Sequence, residues 1–378
     1  MSNFPFPNAN GPNALLRLVQ KPDRGRSLVA NRLIKPGEVV LVETPLLVYP
    51  SNLRFQHLFC SRCFHQVPGE PLRCPTCKVA RFCSRQCLSL SHPRLLCHAL
   101  PSLISGNVTS PDDLVFLLAA YSLPATSLLQ LLSLHSNSRF PDESIQILHS
   151  QLSSFIPPQM VPLNFSQETT SSLISKKKTN SLSLITPMET KFDRRGLSGS
   201  RAYGIYPWAS MINHDCLPNV CRFDYVDDRD RENNTDAIFR AFHQIKEGSE
   251  ICISYVGVRR LYRDRQRSLM KDYGFKCKCD RCKIESKWKE SQRKLEDEEE
   301  EEAGEENEER VAEGEGEELD SDDEDFPHAY FYERYMCDCG GHLAPLPPSD
   351  GSVSDMMECS CCGDVGIDTS ISEDPNNF

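Results

Sequence analysis

The chain has 378 residues, 39 % of them apolar, with 18 cysteines and a formal net charge of -12 at pH 7. That length allows one large domain or two to three smaller ones. The longest largely apolar run, Leu114 to Leu123, is too short to span a bilayer, and MSNFPFPNANGPN has neither a basic start nor an apolar stretch. Neither a membrane protein nor a secreted one is therefore expected.

Residues 14–50 read as short strands broken at Gly25, Pro36-Gly37 and Pro45. Residues 60–98 are rich in cysteine and poor in core-forming residues, so metal has to hold them. From Asp112 to Phe155 the pattern turns helical, with Leu114, Leu117, Leu118 and Tyr121 on one face and Leu128, Leu131, Leu132 and His135 on another. Residues 157–200 are loop-rich with a helix near 166–176. Strands return from about 203 to 255 and include a hairpin with a polar tip, FDYVDDRDRENNTDAIFRAF; the basic helix RRLYRDRQRSLMKDY follows. Between Glu296 and Asp325 lie twenty acidic residues and one base, and removing that segment's -19 from the total leaves +7 for the rest. So polar a segment cannot offset the entropy of ordering, and disorder is expected there. It reads as a solvated spacer or as an attractor of basic partners.

The first cysteine cluster is Cys60-x2-Cys63, Cys74-x2-Cys77, Cys83-x3-Cys87, His92 and Cys97. Without an export signal, disulfides are disfavoured. Eight soft donors at knuckle spacing suit two tetrahedral zinc ions better than chance burial of thiols. Cys277, Cys279 and Cys282 supply three more donors, with Cys216 as the candidate fourth. In the tail, Cys337, Cys339, Cys359 and Cys362 form a zinc-ribbon-like set, with Cys361 as a substitute; a loose reduced tail is the other reading. Cys221 and Cys252 have no partner in pattern and read as core.

The first cluster, with its phrase FCSRQC, resembles the MYND finger. That resemblance implies interleaved ligation. Cys60, Cys63, Cys83 and Cys87 would hold one ion, and Cys74, Cys77, His92 and Cys97 the other, with His98 as the alternative to His92. The tryptophan usual between the sixth and seventh ligands is absent, and the last step is His-x4-Cys. GIYPWASMINHDCLPN, GSEICISY and YGFKCKCDRC resemble the NHxCxPN, GEELxISY and post-SET elements of SET domains. GRSLVANRLIKPGEVVLVETP resembles the N-terminal SET half, and the order is that of SET–MYND (SMYD) proteins, plant ASHR-type histone-lysine methyltransferases in particular.

The resemblance implies an α+β fold: a SET β-fold split by a MYND zinc module and a helical insert, with a post-SET zinc site and a small tail. The expected divisions are 13–50 and 179–256 for SET, 55–100 for MYND and 101–178 for the insert. The post-SET segment is 257–285, the acidic linker 286–326 and the tail 327–366. The implied activity is methyl transfer from S-adenosylmethionine to a lysine ε-amine of a protein, histone or non-histone, in the nucleus and/or cytoplasm. Tyr255 would be catalytic, with Tyr273 lining the lysine channel. Arg24, Arg26, Asn180, Ser210, Asn213, His214, Tyr255 and Phe275 would hold the cofactor. Ser27 stands where the family usually has glycine, which permits a positive φ. Three zinc ions are implied in the body and a fourth in the tail; neither nucleic acid nor membrane is an expected partner. The alternative is a non-catalytic adaptor that recruits partners through the MYND module and the acidic run.

Overall fold

The computed structural model describes residues 14–368 except 68, 91, 107, 138–140, 186–199, 229–232, 288–328 and 350–351. The acidic run therefore lies outside the described residues. All 18 cysteines are unbridged.

The N-terminal strands β1 (Leu16–Lys21) and β2 (Gly25–Ala30) form an antiparallel hairpin whose tight turn ends at Gly25, with φ +69°. Strand β3 (Val39–Glu43) is the edge of a three-stranded sheet, and β4 (Leu47–Pro50) pairs in a second. The zinc module follows, with a small hairpin of β5 (Leu72–Arg73) and β6 (Arg81–Phe82) and helix α1 (Arg85–Leu90). It is less coreless than its composition suggests: Cys60, Cys74, Cys77, Ala80 and Phe82 join the main hydrophobic core.

Helices α2 (Arg94–Ser105), α3 (Pro111–Tyr121), α4 (Ala125–Leu132), α5 (Asp142–Phe155) and α6 (Gln167–Asn180) make up the insert. Two expected boundaries fall inside helices. α2 runs through residue 100 with Pro101 in it, and α6 continues past 178 to Asn180. The expectation of one apolar face on α3 is also corrected. Every residue from Leu114 to Tyr121 is buried, because α3 is enclosed by α2, α5, α6 and β4. His135 lies beyond the end of α4 rather than on its face. Helix α6 starts at Ser166, whose side chain accepts from the Thr169 amide, an N-cap that satisfies one of the free amides of the first turn.

The second sheet has order β4-β8-β7, with β7 (Ser181–Ile185) and β8 (Ser200–Ile205) antiparallel. The first has order β10-β11-β3, with the expected hairpin formed by β10 (Val220–Phe223) and β11 (Ala237–Ala241). All five residues of β11 are buried. Ala237, Phe239 and Ala241 face the main core, while Ile238 faces a second cluster made with the C-terminal tail. Two short strands, β9 (Asn213–His214) and β12 (Cys252–Ile253), pair in parallel as a sheet of their own. The basic segment folds as α7 (Tyr262–Ser268) and a π-helical turn, Leu269–Tyr273, that ends at Gly274 with φ +76°. The tail is a short helix, Ala329–Tyr335, and a meander of β13 (Leu343–Pro345), β14 (Met356–Cys359) and β15 (Val365–Ile367).

Candidate active site and zinc centres

The NHDCLPN and ISY segments meet through the β9–β12 pairing, which sets Cys252 opposite Asn213 and Ile253 opposite His214. Asn219 locks the crossing: its Nδ2 donates to the Glu250 carbonyl at 2.8 Å and its Oδ1 accepts from the Cys252 amide at 2.8 Å. Asn213 ties in the N-terminal turn. Its amide nitrogen lies 2.8 Å from Ser27 Oγ, 2.8 Å from Glu250 Oε1, 3.2 Å from the Arg26 carbonyl and 3.3 Å from that of Arg24. Ser27 is fully buried, and its φ is not among the positive ones. Serine is thus unstrained where glycine was expected, and it supplies an acceptor that glycine lacks.

His214 sits between two functional elements. Its Nδ1 accepts from the Tyr255 amide at 3.0 Å, and its Nε2 is 3.2 Å from Cys216 Sγ. An acceptor Nδ1 leaves the proton on Nε2, which donates to the sulfur. Burial pushes this imidazole down to about 4, so the ring is neutral. Tyr255 packs on Tyr273 at 4.7 Å between centroids, on His214 at 5.4 Å and on Phe275 at 6.4 Å. Its hydroxyl donates to the Ile212 carbonyl at 2.7 Å. Burial first, then the neighbouring Tyr273, raises the Tyr255 hydroxyl above its ordinary pKa. Tyr273 is raised by burial and by Asp272. The insert holds this end of the site as well: Asn137 Nδ2 donates to the Tyr273 carbonyl at 2.9 Å.

The two turn arginines differ. Arg24 is committed, with Nη2 donating to the His214 carbonyl at 2.7 Å and Nε to Glu250 at 3.1 Å. Arg26 has no carboxylate partner among the described residues, and burial lowers its pKa. Lys176 and His135 adjoin it. Lys176 is lowered by burial and then by Arg26; His135 is lowered by burial, then by Lys176 and Arg26. Asn180 is buried below them, its Nδ2 donating to the His135 and Lys176 carbonyls at 2.9 and 3.0 Å. Ser210 Oγ is buried with no hydrogen-bond partner among the described residues. Two adjoining half-buried cations, Arg26 and Lys176, and an unmatched hydroxyl suit a ligand with a carboxylate and further polar groups, as S-adenosylmethionine has. Sequence reading missed Lys176 and His135. One lay in a Lys-Lys-Lys run and the other on a supposed helix face, and only the fold brings them to Arg26.

Four groups of soft donors each gather with their ligand atoms within 4.8 Å of one another: Cys60, Cys63, Cys83, Cys87; Cys74, Cys77, His92, Cys97; Cys216, Cys277, Cys279, Cys282; and Cys337, Cys339, Cys359, Cys362. His98 is exposed and outside the second group, and Cys361 is outside the fourth. These sets fit structural zinc by number and chemistry. The third is surrounded by donors suited to thiolates: Arg265 Nε lies 3.3 Å from Cys216 Sγ, and Gln266 Nε2 lies 3.3 Å from Cys282 Sγ. Charge balance comes from buried arginines rather than from the neighbouring lysines. Lys276, Lys278 and Lys283 are exposed, whereas Arg265 and Arg281 are fully buried and share Glu285. Arg265, on the basic helix α7, turns inward to the sulfurs.

Several small sheets, one of them a short parallel pair, and four zinc-type donor sets separate this architecture from the doubly wound nucleotide-binding class, with its Gly-rich strand–helix turn. The chain belongs to the SET-domain family, whose model matches residues 25–256. It is 40 % identical to histone-lysine N-methyltransferase ASHR2 of Arabidopsis thaliana, over 94 % of this chain and 96 % of that protein. It is 28 % identical to histone-lysine N-methyltransferase ASHR1 of the same plant over 69 % of this chain, spanning 53 % of that longer protein. A solved SET domain of LSMT bound to lysine and AdoHcy aligns with a TM-score of 0.35 at 13 % identity, covering 70 % of this chain and 54 % of that one.

Proposed function

We propose that the chain transfers a methyl group from S-adenosylmethionine to the ε-amine of lysine in a protein substrate, histone or non-histone. The observation that carries this reading is the convergence, around His214, of the Tyr255–Tyr273–Phe275 aromatic group with the turn that bears Arg26. S-adenosylmethionine, when bound, supplies an electrophilic methyl on a sulfonium. Arg26, with Lys176 and His135 beside it, would hold the carboxylate; Asn213, His214, Ser210 and Asn180 would frame the polar groups; Phe275 would lie against the adenine.

The remaining chemistry concerns the amine. Free lysine has a pKa of about 10.4, and desolvation in a narrow apolar channel disfavours its charged form, so the amine's proton passes to solvent before transfer. Tyr255 and Tyr273 both stay protonated, because their surroundings push them up. Neither serves as a base. With its proton given to the Ile212 carbonyl, the Tyr255 oxygen keeps its lone pairs for the amine N–H and the partly positive methyl. Alignment of nitrogen, methyl carbon and sulfur, enforced by the wall of tyrosines, contributes several kcal/mol more.

The SET, MYND, insert, post-SET and tail divisions are proposed as functional units, and the acidic run as an electrostatic attractor for basic partners such as histone tails. A histone substrate places the reaction in the nucleus and a non-histone one equally in the cytoplasm; among the described residues no helix is long and apolar enough to cross a membrane. The test is to incubate purified protein and labelled cofactor with histones and with cell extract, followed by mass spectrometry. Methyl-lysine that disappears with Tyr255→Phe is the expected result. Absence of both transfer and cofactor binding by calorimetry would favour the adaptor reading.

A further inference from the structure

Residues 329–368 lie beyond the acidic run, yet they form a wall of the SET body. Phe331, Tyr335, Met336, Ala344 and Met357 pack against Cys221, Phe223, Ile238, Phe242 and Val258. Arg240, on the tail-facing side of β11, is 1 % exposed and pairs with Glu358 at 2.7 Å, and Glu358 also accepts from the Tyr225 hydroxyl at 2.8 Å. The tail presses so close to the turn at Gly37 that a Cβ there would come within 2.2 Å of the Leu346 carbonyl oxygen.

One contact reaches towards the active site. The Tyr332 hydroxyl donates to the Val258 carbonyl at 3.0 Å, and Arg281 Nη1 donates to the same oxygen at 2.6 Å. The Arg281 guanidinium also lies over the Tyr332 ring at 5.5 Å, bonds Glu285, and reaches the Cys216 carbonyl at 3.4 Å. Val258 is three residues past Tyr255, and Arg281 sits between Cys279 and Cys282. The tail therefore braces the segment that carries the catalytic tyrosine and the cysteine cluster at one shared oxygen.

The tail has little to hold itself together: a seven-residue helix and three strands of three or four residues. Its four-cysteine set has the features of a built knuckle. Cys339 Sγ and Cys359 Sγ are 3.4 Å apart, and each sulfur also lies 3.4 Å from a backbone amide, that of Gly341 and of Cys361 respectively. Gly341 has no room for a side chain, since its Cβ would fall 2.7 Å from Cys359 Sγ. Gly340 and Gly363, just after Cys339 and Cys362, take φ of +82° and +77°.

We propose that Cys337, Cys339, Cys359 and Cys362 bind a zinc ion, and that the module it holds positions the post-SET clamp, the Cys216–Cys277–Cys279–Cys282 cluster with the segment that carries it, through Tyr332 and Arg281. The link to cofactor binding rests on the methyltransferase reading. The full chain is assayed by elemental analysis, hydrogen exchange over 256–285 and calorimetry with S-adenosylmethionine. Four zinc ions per chain are expected in the parent, and three in Cys359→Ser. Tyr332→Phe, which leaves every ligand and the tail core in place, should keep four. It should quicken exchange at 256–285 by about fivefold, the effect of one lost hydrogen bond. It should also weaken cofactor binding about threefold, with turnover restored at saturating cofactor. Three zinc ions in the parent overturn the metal site, and parent-like exchange in Tyr332→Phe overturns the coupling. A parent that binds no cofactor would instead sink the methyltransferase reading, while the zinc count and exchange would still decide this one.

Discussion

Tyr255→Phe separates the hydroxyl from everything else the residue does. The ring keeps its contacts with Tyr273, His214 and Phe275, and the backbone amide keeps its bond to His214 Nδ1. Only the bond to the Ile212 carbonyl is lost, together with the oxygen that faces the amine in the proposed mechanism. Removal of one preorganised polar contact at a reacting centre costs about 10² to 10³ in rate, or roughly 3–4 kcal/mol. The ground-state loss of one partly buried hydrogen bond is about 1 kcal/mol, so folding and cofactor affinity should barely change. Single-turnover transfer of a labelled methyl group to the best acceptor found in the mass-spectrometric screen measures the first quantity. Urea titration and calorimetry measure the others. The pH–rate profile adds a further constraint. Because Tyr255 titrates above its ordinary range, the variant should be slower at every pH with an unchanged slope below neutrality. A rate within about threefold of the parent would show that the methyl does not pass this hydroxyl, and a changed slope would make Tyr255 a base rather than a fixed dipole.

Cys279→Ser should release one zinc, loosen residues 273–285 and lower cofactor affinity and turnover together by about tenfold or more, because Tyr273 and Phe275 hang on that segment; Cys83→Ser in the MYND module should release zinc and leave affinity intact, and calorimetry on both variants checks the contrast. Ser27→Gly should lose about 1 kcal/mol of stability in urea, through loss of one of the four acceptors around the Asn213 amide and the greater freedom of glycine in the unfolded chain, and gain no cofactor affinity; tighter binding would mean that the turn needs a glycine after all. Glu43 is buried and accepts from the Trp208 and Ala209 amides at 2.9 and 2.8 Å; burial outweighs those bonds and pushes it from 4.5 up to about 7. The folded state thus holds this proton over a range where the unfolded state has lost it. Stability relative to Glu43→Gln should be highest below about pH 4.5, fall by about 3 kcal/mol as pH rises to about 7, and stay level above; a difference independent of pH in urea titrations would refute the sign.

Much of this site was legible in the sequence because its chemistry is local. Cysteine pairs announce donors wherever they fall, and NHDCLPN, ISY and YGF each carry their residues in runs short enough to be read without a fold. What stayed hidden depends on which face a residue turns inward. Arg240 stands in AIFRA, where a strand with one wet face would expose it, but the tail covers that face and gives it Glu358. Arg265 stands among exposed arginines on α7, and only the position of Cys216 and Glu285, from distant parts of the chain, turns it inward. Lys176 and His135 lie some forty residues apart, one in a Lys-Lys-Lys run and the other after an apolar stretch, and neither pattern points to Arg26. Burial reversed the meaning of charge in each case. A cation that the sequence assigns to solvent is placed against a carboxylate, against sulfur, or against other cations, and these three settings do different work. Arg240 fastens the tail, Arg265 offsets the thiolates of the clamp, and Arg26 with Lys176 stores repulsion. An anionic ligand would relieve that repulsion on binding, so cofactor affinity should draw part of its strength from a cost the fold itself carries.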